Sequence, residues 1–463
     1  MIMYEINDIM NNNHTMKKSC RTFNTILLSI LLLAILSACA HKKSVTTQFI
    51  TVKEGKLYRD GKPYYFLGTN LWYGCYLGSN GSYGNRDRLT RELDALSSRG
   101  INNLRLLAAS EKSTISNALS PAIQNSPGVY NEELLEGLDF LLAEMGKRHM
   151  NGVLFLNNFW EWSGGMGQYM AWAHGGKVVD PVLGKDSWPD FMAYSDSFYA
   201  DSLANAYYRQ FIHYILNRKN TYNGLLYKND PVIMAWELAN EPRGGEGRAG
   251  LAGMPVFTRW VDETAGYIHS LDSNHLVTTG SEGTVGCKQD TASFLASHKT
   301  RNIDYLTFHL WAKNWGWFDA RNIKGTLPSS KTKAINYLNL HMQLARQLSK
   351  PIVLEEFGME RDSSLCKAGT PVTARDEYYR MVLKLMSDTA ASGGPFAGCN
   401  FWGWGGEGRP AFADCIYRLG DPYLCDPPQE GQGLNSVFDS DSSTIRIIRN
   451  YADKMNRLST PAH

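Results

Sequence analysis

Two short stretches carry residues whose types and spacing could do chemistry. Trp236-Glu237-Leu238-Ala239-Asn240-Glu241-Pro242 and Val353-Leu354-Glu355-Glu356-Phe357-Gly358 are apolar runs that end in a carboxylate and then a turn-forming Pro or Gly. Each run reads as a buried strand, and a carboxylate at a strand's end, unlike one in its middle, can leave the core and face a cleft. Two such carboxylates can break a glycosidic bond: one protonates the leaving oxygen and the other attacks or stabilises the sugar carbon. Period-two alternation sets Glu355 on the opposite side of its strand from Glu356, so Glu355, and Glu237 likewise, are expected to pair structurally. No Cys-x-x-Cys or His-x-x-x-His spacing points to a metal, and no metal or other cofactor is expected.

The elements that must position these residues follow from the rest of the chain. Apolar runs recur at Tyr64–Asn70, Ile101–Leu107, Asn151–Asn158, Val232–Ala239, His275–Thr279, Ile303–His309, Ile352–Phe357 and Phe396–Trp402. They are short and mostly not alternating, as expected of parallel strands buried on both faces. Helical patterns lie between most of them: Glu132–His149, Ser202–Arg218, Val261–Leu271, Lys331–Leu348 and Arg375–Ser387. Eight such units predict an α/β fold, a (β/α)8 barrel, whose site lies at the carboxyl ends of the strands. A doubly wound open sheet is the alternative, but no Gly-x-Gly-x-x-Gly follows the first strand. A short N-terminal hairpin is expected from Phe49, turning at Asp60-Gly61. Long loops, Trp160–Asp201, Arg243–Pro255 and Gly403–Asp439, fall on the predicted catalytic face, and loops of that length are usually functional.

The N-terminus reads as targeting rather than fold. Lys17, Lys18 and Arg21 precede an apolar run from Ile26 to Leu36, too short to span a bilayer, and small residues follow. The Leu36-Ser37-Ala38-Cys39 ending resembles a bacterial lipobox, which implies a lipid-modified Cys39 and an exported cell-envelope lipoprotein at the outer membrane or cell surface. Residues 1–38 are therefore assigned to an upstream stretch and signal peptide, 39–48 to a tether, and 49–463 to one catalytic domain. Lys and Arg number 47 against 45 Asp and Glu, for a net charge of +2. That balance argues against nucleic acid or an acidic polymer and favours a neutral substrate. Of eight cysteines, six lie beyond Cys39. They allow fifteen pairings, among which Cys415 and Cys425 would close a short loop.

Taken together, the two glutamate motifs resemble the acid/base and nucleophile motifs of glycoside hydrolase family 5, over roughly residues 50 to 455. Asn157-Asn158-Phe159-Trp160, Gly164-Gly165, Gln168-Tyr169, Ala171-Trp172-Ala173, Pro231–Ala235 and Ser281-Glu282-Gly283 resemble its β-mannanase branch. The resemblance implies retaining endo-hydrolysis of a β-1,4-linked mannan, glucomannan or galactomannan by a monomer. The alternatives are an endoglucanase or exo-acting mannosidase on the same barrel and a glycan-binding lipoprotein without turnover. It also implies Glu241 as acid/base, Glu356 as nucleophile, Arg105 holding the nucleophile ionised, Asn240 on the sugar's 2-hydroxyl, His309 in the site, and Trp402 as the floor under the cleaved sugar. The family often has Tyr where this chain has Trp311, which puts the bond from that position to the nucleophile in question. Asn70-Leu71-Trp72-Tyr73 exchanges the two aromatics of the family's motif, so Trp72 or Tyr73 is expected to line a distal subsite. Trp160 is also expected to bind substrate. Nine of the 12 Trp fall on or beside the catalytic-face loops, and about half of them are expected to touch sugar through their faces.

Overall fold

The computed structural model describes residues 49–459, and these include every catalytic-face element predicted above. The signal peptide, Cys39 and the tether lie outside the described residues. Eight parallel strands form the central sheet: β1 (Phe66–Asn70), β2 (Asn103–Leu107), β3 (Asn151–Phe155), β4 (Ile233–Glu237), β5 (Leu276–Thr278), β6 (Leu306–Leu310), β7 (Ile352–Phe357) and β8 (Phe396–Phe401). Their order is β5-β4-β3-β2-β1-β8-β7-β6, so consecutive strands are neighbours and β8 returns to β1. The last gap, between β5 and β6, is bridged by Asp304 N–H to Val277 O at 2.9 Å and by Thr278 Oγ1 to Tyr305 O at 2.9 Å. The sheet thus closes into a barrel. Every residue of these strands is buried, which is why the sequence shows continuous apolar runs instead of alternation.

Helices wrap the outside where the 3.6-residue pattern placed them. In the helix Glu132–Lys147, Leu134, Leu135, Leu138, Leu141 and Leu142 are all buried, and the Asn131 side chain caps the start by accepting from Glu133 and Leu134 N–H. Two further helices, Arg86–Ser97 and Ser442–Leu458, complete the ring.

Two local expectations are corrected. The N-terminal hairpin pairs Ile50–Lys53 with Lys56–Arg59 and turns at Glu54-Gly55; Asp60-Gly61 makes the next turn, into Lys62-Pro63. Cys415 bonds Cys366, 49 positions away in sequence, not Cys425. Cys425, within the loop that follows β8, is fully buried and stays a thiol, so the short Cys415–Cys425 loop is not formed.

Candidate active site

Glu241 and Glu356 rise from the carboxyl ends of β4 and β7, where the barrel opens. Glu241 has a backbone φ of +51°, in the left-handed region that a residue bearing a Cβ rarely adopts. The turn into Pro242 imposes that conformation and aims the side chain into the cleft. On β7 the ladder to β6 pairs Phe308 with Leu354 and His309 with Glu356, skipping Glu355. This bulge overrides simple alternation. Glu355 and Glu356 therefore both approach the Arg105 guanidinium, instead of pointing to separate environments. Glu355 Oε2 lies 3.9 Å from Arg105 Nε, while Glu356 Oε1 accepts directly from Arg105 Nη1.

Arg105, on β2, is the hub of the site and has no solvent exposure. Its Nε and Nη2 donate to the two oxygens of Glu237 at 2.9 and 2.6 Å, its Nη1 also to Asn70 Oδ1 at 3.1 Å, and its Nη2 also to Asn240 Oδ1 at 2.8 Å. Glu237 is thus the structural partner the sequence suggested: it clamps the guanidinium so that the remaining donors face Asn240 and Glu356. Asn240 is fixed on its other side by donating to Asn158 Oδ1 at 3.1 Å, which leaves the residue at the cleft floor.

The two glutamates share an imidazole. His309 Nδ1 stands 2.7 Å from Glu241 Oε1 and 3.3 Å from Glu356 Oε2, while Nε2 is buried with no hydrogen-bond partner. Burial, and then the charge of Arg105, hold His309 well below its ordinary pKa, so the ring is neutral. Its single proton sits on Nδ1, where the carboxylates accept it. Trp160 Nε1 donates to Glu241 Oε2 at 2.5 Å, and Trp311 Nε1 donates to Glu356 Oε2 at 2.9 Å. The tryptophan in place of the family's tyrosine therefore keeps a donor on this glutamate.

Burial lifts the pKa of both glutamates, and the charge of Glu241 further opposes ionisation of Glu356. The pair thus holds one proton more tightly than a free carboxylate would. Only Glu356 touches a charged donor, so the proton belongs on Glu241. Burial, and then the charge of Glu237, raise Glu355 well above the ordinary carboxylate range. Ligand atoms of Glu241, His309 and Glu356 all lie within 4.8 Å of one another, a donor set that a divalent transition ion could accept.

Around this floor lies a cleft of about 440 Å³. Six of the nine expected tryptophans line it: Trp160, Trp162, Trp188, Trp311, Trp315 and Trp402. Trp402 Nε1 has no partner among the described residues, so the ring offers a face to a sugar and its indole N–H can meet a hydroxyl. Gly164 and Gly165 hold the Trp160 loop close: a Cβ on either would come within 2.3 Å of a carbonyl oxygen, of Glu111 and Asn158 respectively. Trp72 and Tyr73 do not line the cleft. Both are fully buried, with Trp72 Nε1 donating to Cys425 O at 2.6 Å and Tyr73 hydroxyl donating to Trp404 O at 2.6 Å. The loop 403–439 lies over them, and nothing local to Asn70–Tyr73 could have announced it.

Other lining groups were not assigned from sequence. Arg243 makes a two-pronged bond to Glu282, at 2.5 and 3.0 Å, and lies over the Trp160 ring at 4.7 Å. Burial and the charge of Glu241 push Glu282 up to about 7. Its place in Ser281-Glu282-Gly283 was the available signal. Glu161 and Glu430 also line the cleft.

A closed eight-fold barrel, with two opposed strand-end carboxylates among tryptophans at its open face, defines a carbohydrate-cleaving hydrolase. Comparison with known proteins narrows the class. The chain belongs to glycoside hydrolase family 5: the family model described as GH family 5 beta-mannosidase-like matches residues 47–460. Mannan endo-1,4-beta-mannosidase 7 of Arabidopsis thaliana is 31% identical over 424 residues, covering 89% of this chain and 86% of that protein. Mannan endo-1,4-beta-mannosidase 4 of Solanum lycopersicum is 29% identical over 412 residues, covering 86% and 90%. Among solved structures, a glycoside hydrolase family 5 mannosidase from Rhizomucor miehei is 35% identical with a TM-score of 0.82, covering 90% of this chain and 99% of its own.

Proposed function

We propose that this enzyme hydrolyses β-1,4-mannosidic linkages of mannan, glucomannan or galactomannan with net retention at the anomeric carbon. The observation that carries the reading is the pair itself, whose carboxylate oxygens approach within 4.8 Å across one cleft floor. Retaining glycosidases hold their carboxyl groups about 5–5.5 Å apart, whereas inverting ones leave room for a water. The mannan-cleaving relatives support the choice of sugar.

In this mechanism Glu356, kept ionised by Arg105 and Trp311, attacks C1 while Glu241 gives its proton to the departing oxygen. The C1–O bond to the leaving sugar breaks and an ester to Glu356 forms. Esterification removes the charge that had raised the pKa of Glu241, which now takes a proton from water as the water oxygen attacks C1 and frees Glu356. Asn240, oriented by Arg105 and Asn158, meets the 2-hydroxyl; Trp402 underlies the ring. The catalytic pair is indifferent to whether the bond is internal or terminal, a choice that belongs to the ends of the cleft.

The test is the first product formed from mannohexaose, followed by proton NMR beside an equal concentration of cellohexaose. New β-anomeric reducing ends from the mannoside, and little turnover of the glucoside, are expected. An initial α-anomer would overturn retention, and faster cleavage of cellohexaose would shift the reading to an endoglucanase.

We also infer that the enzyme works as a monomer outside the cytoplasm, tethered by lipid on Cys39. Expression of the full chain in a bacterial host with labelled palmitate should give a labelled membrane-bound protein, and Cys39→Ser should give neither label nor membrane retention. Equal labelling of both would remove the anchor.

A further inference from the structure

We infer that the cleft takes only the non-reducing end of a chain, closed by the loop 403–439, and that Glu430 on that loop recognises the hydroxyls of the terminal sugar. The inference rests on the β-mannosidic reading above and adds the position of the bond that is cut.

The direction of the cleft follows from the chemistry. Glu241 must stand beside the leaving oxygen, so the leaving chain departs on the side of Trp160, which bonds Glu241, and of Trp188 beyond it. Trp188 is 46% exposed and 6.2 Å from Trp160, an aromatic face open to an emerging polymer. In a β-1,4 chain that departing portion carries the reducing end. The opposite end of the cleft holds the sugar whose C1 is attacked, together with anything attached beyond it.

That opposite end is walled. The lining residues come from β7 itself and from the segments after β3, β4, β5, β6 and β8, and none comes from the segments after β1 or β2. There the loop 403–439 crosses from β8: its Tyr423 packs edge-on against Trp72 at 5.5 Å, stands 4.7 Å from the Tyr76 ring and donates to Ser120 O at 3.2 Å. The position where the sequence suggested a distal sugar subsite is therefore filled by protein. Pro427, Gln429 and Glu430 form the face that this wall turns to the cleft.

The wall is fastened at several points. The Asp426 carboxylate accepts from the backbone N–H of Gly433, Asn435 and Ser436 at 2.9, 2.8 and 3.2 Å, and from Ser436 Oγ at 2.5 Å. Gln432 Nε2 donates to Asp426 O at 2.9 Å and Pro427 O at 3.0 Å. Arg361 reaches Gly433 O and Ser436 O while paired to Asp441, and the Cys366–Cys415 bond joins this loop to the one after β7. Within this frame Glu430 Oε2 accepts from Asn435 Nδ2 at 3.2 Å, and its other oxygen has no bond from the described residues. Burial, and then Asp426, push this carboxyl up to about 8, so at neutral pH it can both donate to and accept from a sugar diol.

The experiment uses mannohexaose labelled at its reducing end, sampled at the earliest measurable conversion. Mannose and labelled mannopentaose as the sole first products are expected. Labelled mannotriose or mannotetraose at first sampling would overturn the terminal mode while leaving the mannosidic reading intact. No cleavage of any mannoside would overturn both. For Glu430, the Ala variant should lose about 10- to 100-fold in kcat/KM on mannobiose, the range for deleting a hydrogen bond to a charged or strongly polar group. Its melting temperature should be unchanged, and Glu430→Gln should recover part of the loss. An Ala variant with wild-type kcat/KM, or one whose loss tracks a fall in melting temperature, would remove Glu430 from substrate recognition.

Discussion

Glu356→Ala is expected to fold as the parent does and to turn over mannohexaose about 10⁴-fold more slowly or worse, since no other group is placed to bond C1 from that side. The same variant gives two further readouts. Azide fits the space vacated by the carboxylate and attacks C1 from the same face as Glu356 did, so added azide should restore turnover and yield the α-mannosyl azide. Loss of the neighbouring negative charge should also lower the pKa of Glu241. In the parent, burial and the charge of Glu241 beside Glu356 raise the pair's upper ionisation; activity is therefore lost as pH rises through that ionisation. With Glu356 gone, a carbon-13 titration of Glu241 should move toward the ordinary carboxylate range, though burial keeps it above. A variant retaining a tenth of the parent's turnover, or one rescued to a β-azide, would reassign the nucleophile.

Arg105→Ala is the second large effect, and it falls on stability as well as rate. Among the described residues the guanidinium is the only permanent cation in direct contact with Glu237 and Glu356. Removing one partner from a buried ionic cluster typically costs about 3–5 kcal/mol. The sign with pH follows from linkage. Burial already lifts both glutamates in the parent, and without Arg105 their folded-state pKa rises further, so the deficit is small at low pH, where both carboxyls are protonated in parent and variant alike, and grows as pH rises toward the variant's folded pKa. Urea unfolding at pH 5 and pH 7 should show the larger deficit at pH 7. Arg105→Lys restores the charge but not the fork that reaches Glu237, Asn240 and Glu356 together. It should recover part of the stability and little of kcat. A pH-independent deficit, or a fully active Lys variant, would refute the role drawn here.

Much of this architecture was visible in the sequence because it is repetitive and local. Each barrel strand falls within a predicted run except β6, which runs one residue past His309 to Leu310, and β7 matches its run at both ends. The strand-end position of Glu241 and Glu356 could be read directly, since Pro242 and Gly358 mark where the chain must turn. The misplacements share a different cause. Trp72 and Tyr73 look like subsite residues until a segment some 350 residues later covers them, and no local pattern encodes that coverage. The bulge at Glu355 is set by the register of β6 against β7, a property of two strands that neither motif contains alone. The Cys366–Cys415 bond likewise depends on two loops meeting above the barrel. Helix Arg86–Ser97 has a mean hydropathy low enough to hide its apolar stripe, and its ends show only as the Asn85 cap.

The left-handed backbone at Glu241 sets folding and chemistry against each other at a single position. A residue without a Cβ would relax that turn, and a shorter polar one would sit there more easily. Any laboratory selection on thermal endurance alone would therefore drift away from glutamate at 241, hardening the barrel while silencing it. Improvement of this scaffold has to be screened for heat tolerance and sugar release together, because at this turn the two demands favour different amino acids.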